Sequence, residues 1–455
     1  MCLAEAARIE RDRVWPTMKY VWKGIFWVGV YLFLTLAPLF VLLLGPTPGG
    51  SGFWWDFSLA LGFAGTSMMG VMFVMTARFK RATAPFGIDL IYYFHRQISL
   101  VALLFILVHP VIIFVDEPHL LSALHPTFIS WPLAAGVVSV VALAILMATS
   151  IWRKELRLDY DSWRLWHLIL ATVTLGMAIA HIVGVAHYVV APWKFLLWTT
   201  ITVSCVGLLF YARLIRPFRL LRHPYRVQEL RQERGDAWTL VIEPDGPPGL
   251  RFQAGQFAWL SIWDSPFALR EHPFSFSGSA EKAGRLEFTI KELGDFTRRI
   301  RHVGRGQQVW VDGPYGAFCI DRNPAPAYLF VAAGIGIAPI MSMLRTLADR
   351  QDERPLLLVY AYHTWERLTF REELERLRES LNLRVVTVLW EAPAGWTGET
   401  GLISEELLGR HLPAERDGLE CFICGPVPMI DLTERALNRL GVPLSRIHSE
   451  LFDLV

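Results

Sequence analysis

Cysteine is scarce in this chain, with five residues, Cys2, Cys205, Cys319, Cys421 and Cys424. An odd number at irregular spacing excludes an even disulfide framework, and the one Cys-x-x-Cys, Cys421 with Cys424, is a single pair running into a Cys-Gly-Pro turn, so no zinc site is expected. Charge of one sign is also lacking: 44 Lys and Arg face 42 Asp and Glu, for a formal net charge of +2. No Lys/Arg-rich run carries interleaved aromatics, and nucleic-acid binding is not expected. The charged N-terminus lacks a short apolar core with a small-residue cleavage site, so no removable signal peptide is expected. What abounds is apolar. The 455 residues are 53% hydrophobic with 18 Trp and 28 Phe, and the mean hydropathy of +0.35 exceeds what a water-soluble globule buries, which points to a membrane protein.

Runs of about 20 apolar residues suffice to cross a bilayer. Six occur, near Gly24 to Leu44, Phe57 to Ala77, Leu90 to Val115, Trp131 to Ile151, Leu165 to Val190 and Phe195 to Leu214, and none follows. Basic residues cluster before the first run (Arg8, Arg11, Arg13, Lys19, Lys23), between the second and third (Arg78, Lys80, Arg81), between the fourth and fifth (Arg153, Lys154, Arg157, Arg164) and after the sixth (Arg213, Arg216, Arg219). In the alternate loops Lys194 is the exception. The positive-inside rule then places both termini in the cytoplasm, with the chain multiply spanning a cell membrane, plasma or bacterial inner.

From about Leu221 short alternating strands such as "WTLVIEP", "GQFAWLSIW" and "RLEFTIKEL" are punctuated by Gly and Pro, which suits an antiparallel barrel. Beyond "NPAPAY" strand, glycine turn and helix alternate, implying a parallel sheet flanked by helices. No internal repeat is visible in this soluble half. The expected organisation is a multi-domain membrane protein: a cytoplasmic N-terminal segment 1–23, a six-helix transmembrane bundle 24–220, a β-barrel domain 221–322 and an α/β nucleotide-binding domain 323–455.

Inside the third run, "FHRQISLVALLFILVHP" places His95 and His109 fourteen residues apart; the fifth run repeats that spacing with His167 and His181. On an α-helix fourteen residues are an offset of about 40° and a rise of roughly 21 Å, so each pair faces one side at two depths. Both spans run outward, so His95 can face His167 near the cytoplasm and His109 can face His181 near the far side. Intramembrane ionisable groups are costly and usually functional, and this pattern predicts two stacked bis-histidine haem sites with irons about 20 Å apart. His187 lies some 240° round the helix from His181 and reads as interfacial. Arg96 fits either a haem propionate or lipid headgroups.

In the soluble half, "KELGDFT" opens a short helix, where Gly294 lets backbone approach a phosphate and Thr297 with the helix N-terminus supplies donors. "AAGIGIAP" follows a buried strand, with Gly334 and Gly336 removing Cβ atoms where a pyrophosphate would lie and Pro339 in the first helical turn. Cys424, Gly425 and Pro426 follow what reads as the last parallel strand, at a carboxyl end, where open α/β sheets bind ligands.

The order GQF, HPFSFS, GxxT, GPYG, GxGxxP, CGP and a terminal ExF resembles the ferredoxin-NADP reductase family. Preceded by the spans with two spaced histidine pairs, it resembles the ferric reductase and NADPH oxidase superfamily over nearly the whole chain. The resemblance implies an FAD-binding barrel, two b-type haems and NADPH or NADH as electron donor. It implies that His272, Pro273, Phe274, Ser275 and Ser277 wrap the flavin, with Ser275 near its N5, and that Gly294 and Thr297 meet the FAD phosphates. It likewise assigns Gly334, Gly336 and Pro339 to the nucleotide pyrophosphate, Cys424, Gly425 and Pro426 to the nicotinamide side, and Phe452 to the flavin face, with Leu454 the poorer candidate.

Nicotinamide gives up two electrons as hydride and haem iron accepts one, so a flavin between them is expected to split the pair. Three acceptors remain open: oxygen giving superoxide, which is the favoured reading, a ferric chelate, or a partner protein on the far side, although no obligatory protein partner is evident. Ile113 stands where animal oxidases have a further histidine, and the loop bearing Asp116, Glu117, His119 and His125 offers either iron ligands or ordinary loop residues. His363 and Arg367 are candidates for a 2′-phosphate contact, leaving NADPH against NADH open.

Overall fold

The computed structural model describes residues 25–41, 43–44, 52–76, 88–189, 191–246, 249–268, 270–282 and 284–451. The segment 1–23 expected to be cytoplasmic, Phe452 and Leu454 lie outside them. The chain divides into two compact units, with the helices up to Arg216 in the first and Pro217 onward in the second.

The first unit contains α1 (Ile25–Val41), α2 (Phe53–Thr76), α3 (Ile88–Asp116), α4 (Trp131–Ile151), α5 (Tyr160–Val185) and α6 (Pro192–Phe210). Of these α2, α3, α4 and α5 are long and apolar enough to cross a membrane, and α1 is shorter. Four spans thus stand among the described residues where six were expected; α6 falls on the sixth run. Large apolar side chains such as Phe33, Leu104, Val111 and Val141 are turned outward, as a hydrocarbon solvent allows. Where helices meet, small residues let their backbones approach. Ser139 Oγ of α4 donates to the Thr174 carbonyl of α5 at 2.8 Å, and a Cβ on Gly184 would strike Trp131 and Pro132. α5 starts at Asp159, whose carboxylate accepts from the Ser162 amide at 3.0 Å, a side-chain cap for an otherwise unpaired N–H. It ends at Ala186, in the left-handed region at φ 56°. His187 therefore lies beyond the helix, and the helical angle expected for it does not apply.

The second unit begins with an antiparallel sheet in the order β4-β3-β6-β1-β2-β5, where β1 is Tyr225–Glu233, β2 Ala237–Pro244, β3 Phe257–Ser261, β4 His272–Ser275, β5 Leu286–Lys291 and β6 Gln308–Tyr315. A bridge between Phe276 and Phe288 joins its two ends into a barrel, and Leu240, Ile242, Phe276, Phe288 and Val309 fill it. A parallel sheet follows in the order β10-β9-β8-β7-β11-β12, from β7 (Ala327–Ala333), β8 (Leu356–Thr364), β9 (Leu383–Glu391), β10 (Glu399–Thr400), β11 (Leu419–Gly425) and β12 (Ile447–Leu451). Buried on both faces, β7 and β11 are almost uniformly apolar, as the central strands of such sheets are. Of the helices after the short α7 (Asp295–Arg298), α8 (Ile337–Asp349) and α9 (Arg371–Ser380) cover one face of the sheet, with Phe330, Tyr360 and Phe422 beneath them. The other face is covered by α10 (Glu405–His411) and α11 (Val427–Arg439). Each such large side chain taken from water contributes about 1.5–3 kcal/mol.

Candidate functional site

In the first unit α3 and α5 bring the four histidines together in two pairs. The rings of His95 and His167 have centroids 6.2 Å apart, and those of His109 and His181 are 6.4 Å apart. Two imidazoles on opposite sides of one metal, each about 2 Å from it, would hold their ring centres roughly 6.4 Å apart, so both gaps fit one iron.

The second ring nitrogens support that use. His109 Nδ1 lies 2.9 Å from the Ser58 carbonyl on α2; a carbonyl only accepts, so Nδ1 carries the proton. Ser58 Oγ in turn donates to the His109 carbonyl at 2.7 Å. Pro110, next in the helix, has no N–H. His181 Nδ1 lies 2.9 Å from the Pro132 carbonyl of α4. His167 Nδ1 lies 3.1 Å from Ser150 Oγ, whose own proton goes to the Leu146 carbonyl at 2.7 Å. This network assigns the proton to Nδ1 in all three, leaving the Nε2 lone pair to bind a metal. His95 Nδ1 is buried without a hydrogen-bond partner. Glycines seat the outer rings: a Cβ on Gly136 would stand 2.8 Å from His181 Nδ1, and one on Gly62 3.3 Å from the His109 ring. Past α5, His187 meets the rings of Trp55 and Tyr188, and Tyr188 donates to Asp56 at 2.7 Å.

In the second unit β4 carries the flavin-type motif. His272, Pro273, Phe274 and Ser275 pair with Leu260, Trp259, Ala258 and Phe257 of β3. Phe296, which the sequence reading passed over, lays its ring 3.8 Å from that of His272 and 6.0 Å from that of Phe274. Ser277 is fully buried and its hydroxyl accepts from Thr289 at 2.8 Å, so this side chain braces the barrel. Thr297 Oγ accepts from the Leu293 and Gly294 amides at 2.8 and 2.9 Å. Its hydroxyl therefore caps its own turn, while the space beyond Gly294 is open.

The nucleotide turn lies at the carboxyl end of β7. Gly334 has φ +55° with open space on its side-chain face, whereas Gly336 packs so tightly on Cys424 and Gly425 of β11 that a Cβ would strike the Cys424 carbonyl. Pro339 is buried in the first turn of α8. Burial, and secondarily the charge of Glu450, pushes the Cys424 thiol well above the usual range, so Cys424 presents a protonated thiol. Glu450 of β12 stands opposite Cys424 in register, and its Oε1 is 3.5 Å from where a Gly316 Cβ would be, a position also 3.2 Å from the Phe257 ring. Phe257, the register partner of Ser275, and Glu450, the register partner of Cys424, thus both border the side-chain face of Gly316. That cradle of missing Cβ atoms at strand carboxyl ends fits a dinucleotide. The two side chains considered for a 2′-phosphate both face carboxylates: His363 lies 3.3 Å from Glu391, and Arg367 pairs with Asp236. Among the described residues no group of three metal-binding side chains occurs, and in the segment between α3 and α4 His119 meets Glu117 at 3.3 Å.

Among curated proteins the chain is similar to NADH-cytochrome b5 reductase 1 of Candida albicans, 31% identical over 180 residues, 38% of this chain and 61% of that protein. It is also similar to the reductase component of propane 2-monooxygenase of Mycolicibacterium smegmatis, 27% identical over 236 residues, 50% of this chain and 66% of that protein. The chain thus spans about three fifths of the length of such relatives. Of solved structures, the FAD/NAD binding domain of nitric oxide dioxygenase from Vibrio cholerae is 22% identical, covers 50% of this chain and 98% of that one, and has a TM-score of 0.45. Three family models match in succession: "Ferric reductase like transmembrane component" over residues 61–178, "FAD-binding domain" over 236–318 and "Oxidoreductase NAD-binding domain" over 330–435. His95, His109 and His167 fall inside the first match and His181 three residues past it. The succession of a ferric-reductase-like transmembrane component, an FAD-binding domain and an NAD-binding domain in one chain places it in the ferric reductase and NADPH oxidase superfamily.

Proposed function

We propose that the chain is an oxidoreductase that moves electrons across a membrane, from cytoplasmic NADPH or NADH by way of FAD and two b-type haems to an acceptor on the far side, with oxygen, giving superoxide, as that acceptor. The observation that carries this reading is the pair of imidazole gaps of 6.2 and 6.4 Å on helices α3 and α5, in a chain that also matches flavin and nicotinamide domains. When bound, FAD takes up the two electrons of a hydride and releases them singly, and haem passes single electrons.

The chain's own residues bind and orient. Backbone N–H groups of the Gly334–Gly336 turn and the start of α8 meet the nucleotide pyrophosphate, and Cys424, Gly425 and Pro426 line the nicotinamide side. His272 to Ser275, with Phe296 packed on them, form the flavin wall, and Gly294 gives access to its phosphates. His95 and His167 would hold one haem iron, and His109 and His181 the other. A haem held by two histidines would leave no ligand position for the acceptor, so this pairing suits outer-sphere passage of single electrons.

Oxygen is favoured because the outer loops offer little basic surface to an anionic ferric chelate, whereas a small neutral molecule needs only access. The rival ferric-chelate reading rests on Ile113 and the loop from Asp116 to His125. The test is nicotinamide oxidation by purified, FAD-loaded protein, with cytochrome c reduction followed with and without superoxide dismutase. Loss of most cytochrome c reduction on adding dismutase supports oxygen. No effect of dismutase, together with turnover accelerated well beyond the aerobic rate by ferric chelate, replaces it with the ferric reductase reading.

A further inference from the structure

Helix α8 carries the nucleotide turn at its N-terminus, yet one of its faces is committed elsewhere. Ser342, Arg345, Thr346, Asp349 and Arg350 recur at the spacing i, i+3, i+4, i+7, i+8, the period of a single helical face. Every one engages the segment that leaves β4. Ser342 Oγ donates to the Gly278 carbonyl at 2.7 Å, Arg345 Nη1 to the Ser277 carbonyl at 2.8 Å, and Thr346 Oγ accepts from the Ala280 amide at 2.9 Å. Asp349 lies 4.0 Å from Lys282, and Arg350 Nε reaches Glu281 at 2.6 Å. Ser342 and Thr346 are fully buried. Arg345, only 11% exposed, completes its contacts with a two-pronged bond to Glu373 of α9 at 2.7 Å on both arms and with Glu287 of β5 at 3.3 Å.

We infer that Arg345 is a positioning residue for hydride transfer: with its neighbours on α8 it fixes the flavin strand, two residues beyond Ser275, against the helix that holds the nicotinamide nucleotide. The proposal rests on the function proposed above. A planar guanidinium is the group this junction needs, because it bonds a barrel carbonyl and two carboxylates from different elements at once in a fixed fork, which a lysine ammonium cannot reproduce. Packing alone would not ask for that geometry. A hydride moves only when donor and acceptor carbons are in near contact, and an error of about 1 Å costs on the order of a hundredfold in rate.

The experiment is anaerobic stopped-flow reduction of the flavin in the full-length, FAD-loaded protein, with protiated and 4-deuterated nucleotide, for the wild type, Arg345→Lys and Arg345→Met. Because Arg345→Met leaves Glu373 without its cation, the double variant Arg345→Met/Glu373→Gln, which removes that charge, is measured alongside. Expected is a limiting reduction rate lowered at least about tenfold in both Met variants, with nucleotide affinity changed far less, a larger deuterium isotope effect, and partial rescue by Arg345→Lys. Limiting rates and isotope effects equal to wild type in the double variant, with only thermal stability lowered, overturn the proposal. A wild-type flavin that neither nucleotide reduces would instead overturn the underlying functional reading.

Discussion

The outer histidine pair depends on residues that have no chemistry of their own. Gly136 faces the imidazole of His181 with room for a hydrogen and not for a methyl, since a Cβ there would sit 2.8 Å from Nδ1; the matching gap at Gly62 and His109 is 3.3 Å. Contacts below about 3.4 Å are strongly repulsive between carbon atoms, so the two sites should respond in graded fashion. Gly136→Ala is expected to displace His181 and lower the haem content of the purified protein to about one per flavin. Gly62→Ala is expected to keep two haems with a shifted midpoint potential. Reduced-minus-oxidised spectra with haem quantification check this, and two unperturbed haems in Gly136→Ala would remove the glycine seat from the account. The fourteen-residue histidine spacing made the four ligand candidates legible in the sequence. Their seats were not legible, because Gly62, Gly136, Ser58 and Ser150 look like any small residue between packed helices. The hydroxyls of Ser277 and Thr297 escaped for a related reason: a motif says which residue is present, while the partner that occupies its hydroxyl is set by folding.

At the scale of elements, long apolar runs placed α2 to α5, and alternation placed the barrel strands. Helix ends were harder to place, since they depend on local backbone geometry: the left-handed Ala186 cuts α5 short of His187. The polar face of α8 was equally hidden. "SMLRTLADR" reads as a helix with a solvated side, and only the tertiary pairing turns that side into a junction. Its titration gives a prediction. Burial raises the affinity of the Glu373 carboxyl for a proton, but the hydrogen bonds and charge of Arg345 outweigh burial, and the group titrates below the ordinary glutamate range. A depressed carboxylate contributes stability that is present above its unfolded value of about 4.3 and is lost as pH falls through the lower folded value. Glu373→Gln is therefore expected to melt about 2–6 °C below wild type at pH 7, with the difference shrinking below about pH 4. Thermal melts across that range check it, and a difference that grew on acidification would contradict the sign.

For the whole molecule, the two kinds of chemistry impose direction. A hydride donor is large, charged and confined to water, so its site belongs to the soluble unit, whereas the histidine levels are set along α3 and α5 about 21 Å apart by fourteen residues of helix. By the positive-inside rule, the basic residues between the second and third runs, between the fourth and fifth, and after the sixth predict that those segments face the cytoplasm. Electrons should then leave on the opposite side, and transport should be vectorial. In sealed inverted membrane vesicles, added NADH or NADPH, which do not cross the bilayer, is expected to drive reduction of an acceptor trapped in the lumen. Sealed right-side-out vesicles should be inert until permeabilised. The variant His109→Ala provides the internal control: nucleotide should still reduce the flavin in inverted vesicles, while reduction of the trapped acceptor falls to background, because only the outer level has been removed. Equal rates in sealed vesicles of both orientations would reverse the topology argument, and lumenal reduction that survives in His109→Ala would mean that the outer histidine pair is not on the route.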